Sequence, residues 1–395
     1  MVPAMARRSP VRSTLALGLL LVSCALAAEN SPPIPAPAEV DAAVQRLMAA
    51  TGAHGLALAI VDDGEVKYLQ AFGTRNARGE ALEPDTVMYG ASLTKLVFAH
   101  TVMQLVDAGA LRLDTPIADL LEKPLPEYPA YAALADDPRW KALTPRMALT
   151  HSTGFANFAF LEPDRKLRIH FAPGSRYAYS GEGLVLLQFV LENGRKDLGL
   201  GTGVGELTRR NFERLGMTRT SLVWREDFAG NLADGWDDRG EPQPHDPRSR
   251  VRASGSMDTT IRDMAAFAAA LVRGDGLSAA ARAELARPQL AITTPNQFPT
   301  LAPELPPERR RPDLQAGLGV VTFDGPQGRG FYKGGHDGQT ANTLVCLENG
   351  RRAVVILSND VRAEAGYAEL VRLILGDTGV PYDWEYGDQA GKSNG

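Results

Sequence analysis

The sequence predicts a mixed α/β fold, in which both ends of the chain build one largely antiparallel sheet flanked by helices and the middle forms an inserted helical lobe. Three observations predict it. Gly55–Val61 and Glu65–Ala71 are β-rich runs joined by Asp62-Asp63-Gly64, a hairpin signal. Leu314–Phe323, Gly330–Lys333, Thr343–Glu348 and Ala353–Asn359 repeat that character near the other end, with Asn349-Gly350 as a second hairpin turn. Between the two sets, apolar residues recur at helical spacing instead of alternating.

Taken in order, the first element is an address. Arg7, Arg8 and Arg12 precede the apolar stretch Thr14–Val22, and small residues follow, which is the pattern of a secretory signal over 1–23. That run is shorter than the roughly 18 to 20 residues a membrane-spanning helix needs. Two processing sites compete. Leu21-Val22-Ser23-Cys24 resembles a bacterial lipoprotein box with Cys24 as the acylated residue, whereas Ala25-Leu26-Ala27 fits ordinary signal peptidase. The lipoprotein reading is preferred, so export to the periplasm, with membrane contact only through a lipid anchor at Cys24, is the expectation. Cys346 is the one other cysteine, leaving no intramolecular disulfide, and its apolar surroundings Thr343–Leu347 make it a buried small hydrophobe.

Residues 24–37 form a Pro-rich linker, and Glu39–Ala50 has the spacing of an amphipathic helix before the first hairpin. The sheet lobe is assigned to 38–115 and 305–382, and the helical lobe to 116–304. Helices are expected at Ala91–Ala108, Met147–Thr150, Glu182–Leu191, Val204–Leu215, Thr260–Val272, Ala279–Leu285 and Val361–Leu375. Leu301–Pro312, with four prolines, is the expected crossing back into the sheet, and 383–395 is expected to be a flexible tail.

Composition excludes some classes. With 42 Lys+Arg against 47 Asp+Glu the net charge is −5, and no basic stripe stands out, so no nucleic-acid partner is expected. The six histidines show no close ligand spacing, so neither a metal nor another cofactor is called for. Nothing in the sequence signals an oligomeric state. Only 8 of the 42 cations are Lys, so a position that needs an amine rather than a plain positive charge is informative.

Ser92-Leu93-Thr94-Lys95 is the only Ser-x-x-Lys in the chain, and it opens a predicted helix. Three residues apart on one helical face, the amine can reach the hydroxyl. A serine hydroxyl needs a base to become a strong nucleophile; a lysine whose pKa is lowered by burial can serve, and an arginine cannot. The helix N-terminus adds donors beside a developing oxyanion. The rival reading is a helix cap with an exposed lysine. Two further stretches supply context: Tyr177-Ala178-Tyr179-Ser180-Gly181 before an apolar helix, and Gly334-Gly335-His336-Asp337-Gly338 beside a predicted strand pair.

Ser92–Lys95, Tyr179–Gly181 and His336–Gly338 occur in the order and approximate separation of the three motifs of penicillin-recognising serine hydrolases. Over residues 38–380 the chain resembles class C β-lactamases, DD-carboxypeptidases, and the related esterases and D-aminopeptidases. Leu143–Gly154 and Ala253–Met264 are similar to the family's loops before the second and third motifs. The resemblance implies a β-lactamase/transpeptidase-like fold and an exported serine hydrolase forming a Ser92 acyl-enzyme on an ester, amide or D-amino-acid peptide, with a small-molecule or peptide substrate of cell-wall origin as one source.

By the same resemblance, Lys95 would accept the Ser92 proton, and Tyr179 would pass it to the leaving group as phenol or phenolate, its pKa lowered by Lys95. The N–H groups of Ser92 and Gln339 would form the oxyanion hole. His336 would contact a carboxylate or assist the tyrosine. Gly181, Asp337, Gly338 and Asn342 would line the substrate, with Gly338 admitting its backbone. Two departures stand out. Gly181 replaces the amide-bearing residue of a Tyr-x-Asn pattern, and His336 replaces the lysine of Lys-Thr-Gly, with Lys333-Gly334-Gly335 as a competing register. Losing amide and lysine favours esters or peptides over β-lactams, and short-acyl ester hydrolysis is expected to exceed β-lactam hydrolysis. A class C-like β-lactamase and a catalytically inactive penicillin- or peptidoglycan-binding protein are the alternatives.

Overall fold

The structure, a computed structural model, describes residues 32–387. The leader, Cys24 and the tail from 388 onward lie outside the described residues. Among those described, no helix is long and apolar enough to cross a membrane.

The chain opens with helix α1 (Pro37–Thr51), whose Val40, Val44 and Leu47 face inward, followed by strands β1 (Gly55–Asp62) and β2 (Glu65–Gly73). Helix α2 (Leu93–Asp107) carries the Ser-x-x-Lys motif. The middle contributes helices α3 (Gly181–Asn193) and α4 (Val204–Arg214), then α5 (Ile261–Arg273) and α6 (Ala279–Ala286). Strands β3 (Leu290–Ala291), β4 (Gln315–Ala316), β5 (Val321–Gly325), β6 (Gly328–His336), β7 (Ala341–Leu347) and β8 (Arg352–Ser358) follow, and helices α7 (Tyr367–Leu375) and α8 (Tyr382–Tyr386) close the described chain.

The eight strands form one sheet in the order β2-β1-β8-β7-β6-β5-β4-β3. All its pairings are antiparallel, and β1 pairs with β8 in the register Leu56 to Ser358, so the two ends of the chain meet inside the sheet, at its second and third strands. The central strands read as unbroken apolar runs because both faces are covered. Side chains alternate across a strand: Ala57, Ala59 and Val61 of β1 join a core with α2 and α5, while Leu56, Leu58 and Ile60 join a second core with α1, α7 and α8.

Three boundaries differ from the sequence reading. The sheet is re-entered at Leu290, not 305, because the short edge strand β3 pairs with β4 ahead of the Pro-rich crossing. Helix α5, assigned to the helical lobe, packs on the sheet; its Ile261, Met264, Phe267, Ala268 and Leu271 share the first core with β1 and β8. Residues 383–387 are not a flexible tail: α8 runs to Tyr386, and Trp384 and Glu385 are buried.

Candidate active site

Ser92 stands at the N-cap of α2, but its side chain makes no capping bond. The hydroxyl is used otherwise: Lys95 Nζ lies 2.9 Å from Ser92 Oγ, and Tyr179 Oη donates to the same oxygen at 2.8 Å. The two groups predicted to act on Ser92 therefore converge on one atom. Ala91, immediately before it, has φ of 44°, a left-handed conformation costly for a residue with a β-carbon. That turn is held by Thr94, whose hydroxyl donates to Ala91 O and accepts from Met257 N–H.

Lys95 is only 1% exposed and donates to the Ser254 carbonyl at 2.5 Å. Burial, and then the neighbouring Lys333 cation, push its pKa well below the ordinary lysine value. A neutral amine that spends one N–H on Ser254 keeps a lone pair for the Ser92 proton. For Tyr179 the expected lowering by Lys95 does not dominate: burial pushes its phenol up, against a smaller lowering by the bond to Ser92, which favours the phenol of the two forms expected. Behind it His151 lies buried with its ring 4.6 Å from the Tyr179 ring, and its Nδ1 accepts from Ser180 N–H at 3.1 Å. Burial above all pushes the His151 pKa well below the ordinary histidine value.

The third motif is the main correction. Lys333 Nζ lies 5.2 Å from the centre of the Tyr179 ring, to which Lys95 Nζ comes within 4.9 Å, and donates to Gly334 O. His336 also lines the cleft, but its Nδ1 is engaged with Glu364 Oε1 at 3.1 Å, and its ring neighbours are Phe298 and Tyr386. Burial lowers its pKa, but the bond to Glu364 and that carboxylate's charge outweigh it, so the net shift is upward. Lys333-Gly334-Gly335 is thus the register that faces the nucleophile. A β-carbon on Gly335 would stand 2.8 Å from Leu93 N and 3.1 Å from Ser92 N, so this glycine lets β6 lie against the start of α2.

The other expected contacts shift with that register. Gln339 backbone N–H donates to Asp337 Oδ1 at 2.9 Å and its carbonyl accepts from Trp236 N–H, so the backbone donor expected in the oxyanion hole is engaged elsewhere. Asp337 N–H donates to Thr340 O, and the alternation of an antiparallel ladder then leaves the His336 N–H on the side away from β7. Gly338 is exposed with open space where a β-carbon would be, so the close approach expected of it belongs to Gly335. Asn342 does not reach the cleft: fully buried, its Nδ2 donates to Tyr89 O and Gly335 O and ties the strand to the segment before Ser92. Asp337 does line the cleft, and its Oδ1 also caps Thr340 N–H.

The cleft has a volume of about 240 Å³, with Ser92, Lys95, Tyr179, Lys333 and Ser254 in its wall. Three contributors went unread in the sequence. Asn157 lines it and accepts the Gly181 N–H at 2.9 Å. Phe158 occupies the space above Gly181, where a β-carbon would stand 2.5 Å from the ring. Glu385 of α8 reaches in from the far end of the chain, 5% exposed, with Oε2 buried and without a hydrogen-bond partner. An acid set among aromatics in Tyr382-Asp383-Trp384-Glu385-Tyr386 was the available signal for it.

Fold and site together define a β-lactamase-type serine site, and comparison with known proteins agrees. A family profile described as Beta-lactamase matches residues 40–377, and the chain belongs to that family. A lovastatin esterase of Penicillium rubens is 28% identical over 242 residues, covering 52% of this chain and 56% of that one. The chain spans from about a quarter to just over half the length of the curated relatives it matches. Among solved structures, an octameric penicillin-binding protein homologue from Pyrococcus abyssi superposes with a TM-score of 0.68 at 20% identity, covering 88% of this chain and 78% of the other. A class C β-lactamase gives a TM-score of 0.66 at 16% identity over 85% and 94%. At such identities the structural likeness establishes the fold alone.

Proposed function

We propose that this protein is a serine hydrolase that forms an acyl-enzyme at Ser92, with esters preferred over β-lactams. The carrying observation is the convergence of Lys95 Nζ and Tyr179 Oη on Ser92 Oγ. Lys95 takes the hydroxyl proton as Oγ attacks the carbonyl carbon. The N–H of Ser92, which makes no hydrogen bond among the described residues, and that of His336 face the developing oxyanion. As the bond to the leaving oxygen breaks, the Tyr179 phenol gives it a proton and is reprotonated from the Lys95 ammonium. Water then releases the acyl group by the reverse relay. Lys333 keeps a positive charge beside Tyr179 and so favours the neutral form of Lys95.

Preference for esters is supported by the wall above Gly181, where the ring of Phe158 stands in place of a hydrogen-bonding side chain. The leader pattern supports action outside the cytoplasm. A parallel panel of p-nitrophenyl esters, a chromogenic cephalosporin and D-amino-acid peptides, with the Ser92→Ala protein as blank, tests the reading. Ser92-dependent ester turnover above cephalosporin turnover is expected; fast cephalosporin hydrolysis with slow ester turnover refutes the ranking. Binding of a labelled penicillin or a fluorophosphonate without a Ser92 adduct in the intact mass refutes the enzyme.

A further inference from the structure

Among the described residues five large hydrophobic side chains are exposed: Phe298 lines the cleft, and Phe160 and Leu161 belong to the turn that directly follows the cleft-lining Phe158. Phe160 is 61% and Leu161 60% exposed. They belong to a single 3-10 turn, Ala159–Leu161, directly after the cleft-lining Phe158, and the rings of Phe158 and Phe160 stack at 5.1 Å. Phe298 lines the same cleft and packs edge-on against Tyr179, ring centres 5.5 Å apart. Isolated exposed apolar residues need no explanation, but a contiguous set that runs out of a catalytic cleft does.

This ledge is held from several sides. Asn157 Oδ1 accepts Gly181 N–H, Asn157 O accepts Glu182 N–H at 3.0 Å, and Glu182 Oε1 accepts Ala159 N–H at 2.8 Å. Glu182 is thus a tether for the turn. On the other side Glu162, 8% exposed, donates its N–H to Ala159 O and is gripped by His170 Nε2 at 2.6 Å. Two segments distant in sequence spend their polar groups on holding apolar side chains up to solvent at the edge of the nucleophile's cleft.

We propose that Phe158, Phe160 and Leu161 form a docking ledge for the apolar chain of the ester substrate, so that the enzyme selects a medium-length acyl group over acetyl. The proposal rests on the ester-hydrolase reading and names its substrate class. Continuity with the cleft carries it: Phe158 is at once a wall of the cleft and the stacking partner of the exposed Phe160. Each methylene brought from water onto such a surface strengthens binding by about three- to four-fold when fully buried, and by less on an open ledge.

The test compares kcat/KM for p-nitrophenyl acetate, butyrate and octanoate, all below their micelle concentrations, in the unaltered protein and in a Phe160→Ser/Leu161→Ser variant. Both positions face solvent, so the variant keeps its core. The expected result is a rise from acetate to octanoate that the variant lowers by about ten-fold, with acetate turnover changed less than two-fold. Octanoate turnover no better than acetate, or an unchanged ratio in the variant, overturns the ledge. A second readout needs no turnover: calorimetric binding of butanamide and octanamide to Ser92→Ala, with and without the ledge substitutions. Chain-length-dependent binding without ester turnover overturns the hydrolase reading and keeps the ledge; equal binding of the two amides overturns the ledge.

Discussion

Gly335 lies so close to Ser92 that a β-carbon on it would stand 3.1 Å from the serine N–H nitrogen. Strand and helix touch through bare backbone at the point where the nucleophile begins, and Asn342 clamps both sides of that contact. Gly335→Ala must push β6 away from α2, since the nearby atoms are backbone and cannot swing aside. We expect a stability loss of about 1–3 kcal/mol from overpacking. A displacement of the oxyanion donors should lower kcat on the order of 10²-fold. Gly338→Ala, in open space, should change neither; steady-state kinetics and urea melts of the pair check the assignment.

In the proposed mechanism Lys95 acts as a base and not as a charge. Lys95→Arg and Lys95→Ala should both lose on the order of 10³-fold or more in acylation rate, since a guanidinium cannot take the proton. Retention of most activity in the alanine variant would transfer the base role to a histidine. Burst kinetics with an activated ester measures acylation directly.

The acid side of the rate profile should follow Lys95, active when neutral. Burial and then the Lys333 cation depress its pKa, so removing that cation raises it. Lys333→Met is therefore expected to move the acid limb of kcat/KM to higher pH. A lower rate with an unmoved limb would assign Lys333 a role in substrate contact alone.

The alkaline side should involve Lys333 itself. Burial brings it down to about 8, and the Glu385 carboxylate pulls the other way. In Glu385→Gln that upward pull is lost, Lys333 deprotonates at lower pH, and the alkaline limb should shift down. Glu385→Asp should keep the limb near its original place, which separates charge from packing.

Asp360 offers a test of the fold instead of the chemistry. Fully buried, it holds Arg362 at 2.6 Å and His54 Nδ1 at 2.9 Å, tying the end of β8 to the segment before β1. Burial would raise its pKa, but these bonds outweigh it and the net shift is downward. The stabilisation is then complete above the unfolded carboxyl pKa of about 3.9 and disappears as pH falls through the lower folded value. Asp360→Asn should cost about 3 kcal/mol at pH 7. Chemical denaturation should show the gap to the unaltered protein closing below about pH 4.

Much of the site was legible because its chemistry is local. Ser92 and Lys95 share one helical turn, and a chain this poor in lysine makes the amine conspicuous. Tyr179 could be placed by its loop and the helix after it. The hairpins at Asp62-Asp63-Gly64 and Asn349-Gly350 announced the strands on either side. Where two registers of one strand competed, local pattern did not decide between them: the strand pleat and the contact with α2 bring Lys333 to Tyr179 and His336 to Glu364.

The sequence by itself determined the layered α/β class and the antiparallel pairing of the two ends, and it singled out Ser92 and Lys95 as a candidate pair; Tyr179 entered through the resemblance to a known family. The first three follow from periodicity, turn chemistry and side-chain reactivity, all readable within short windows. Only the tertiary structure decided which lysine faces the tyrosine, where the close glycine lies, and that α8 and the Phe158 turn belong to the cleft. Burial and long-range packing set those, and both depend on segments as far apart as Ser92 and Glu385.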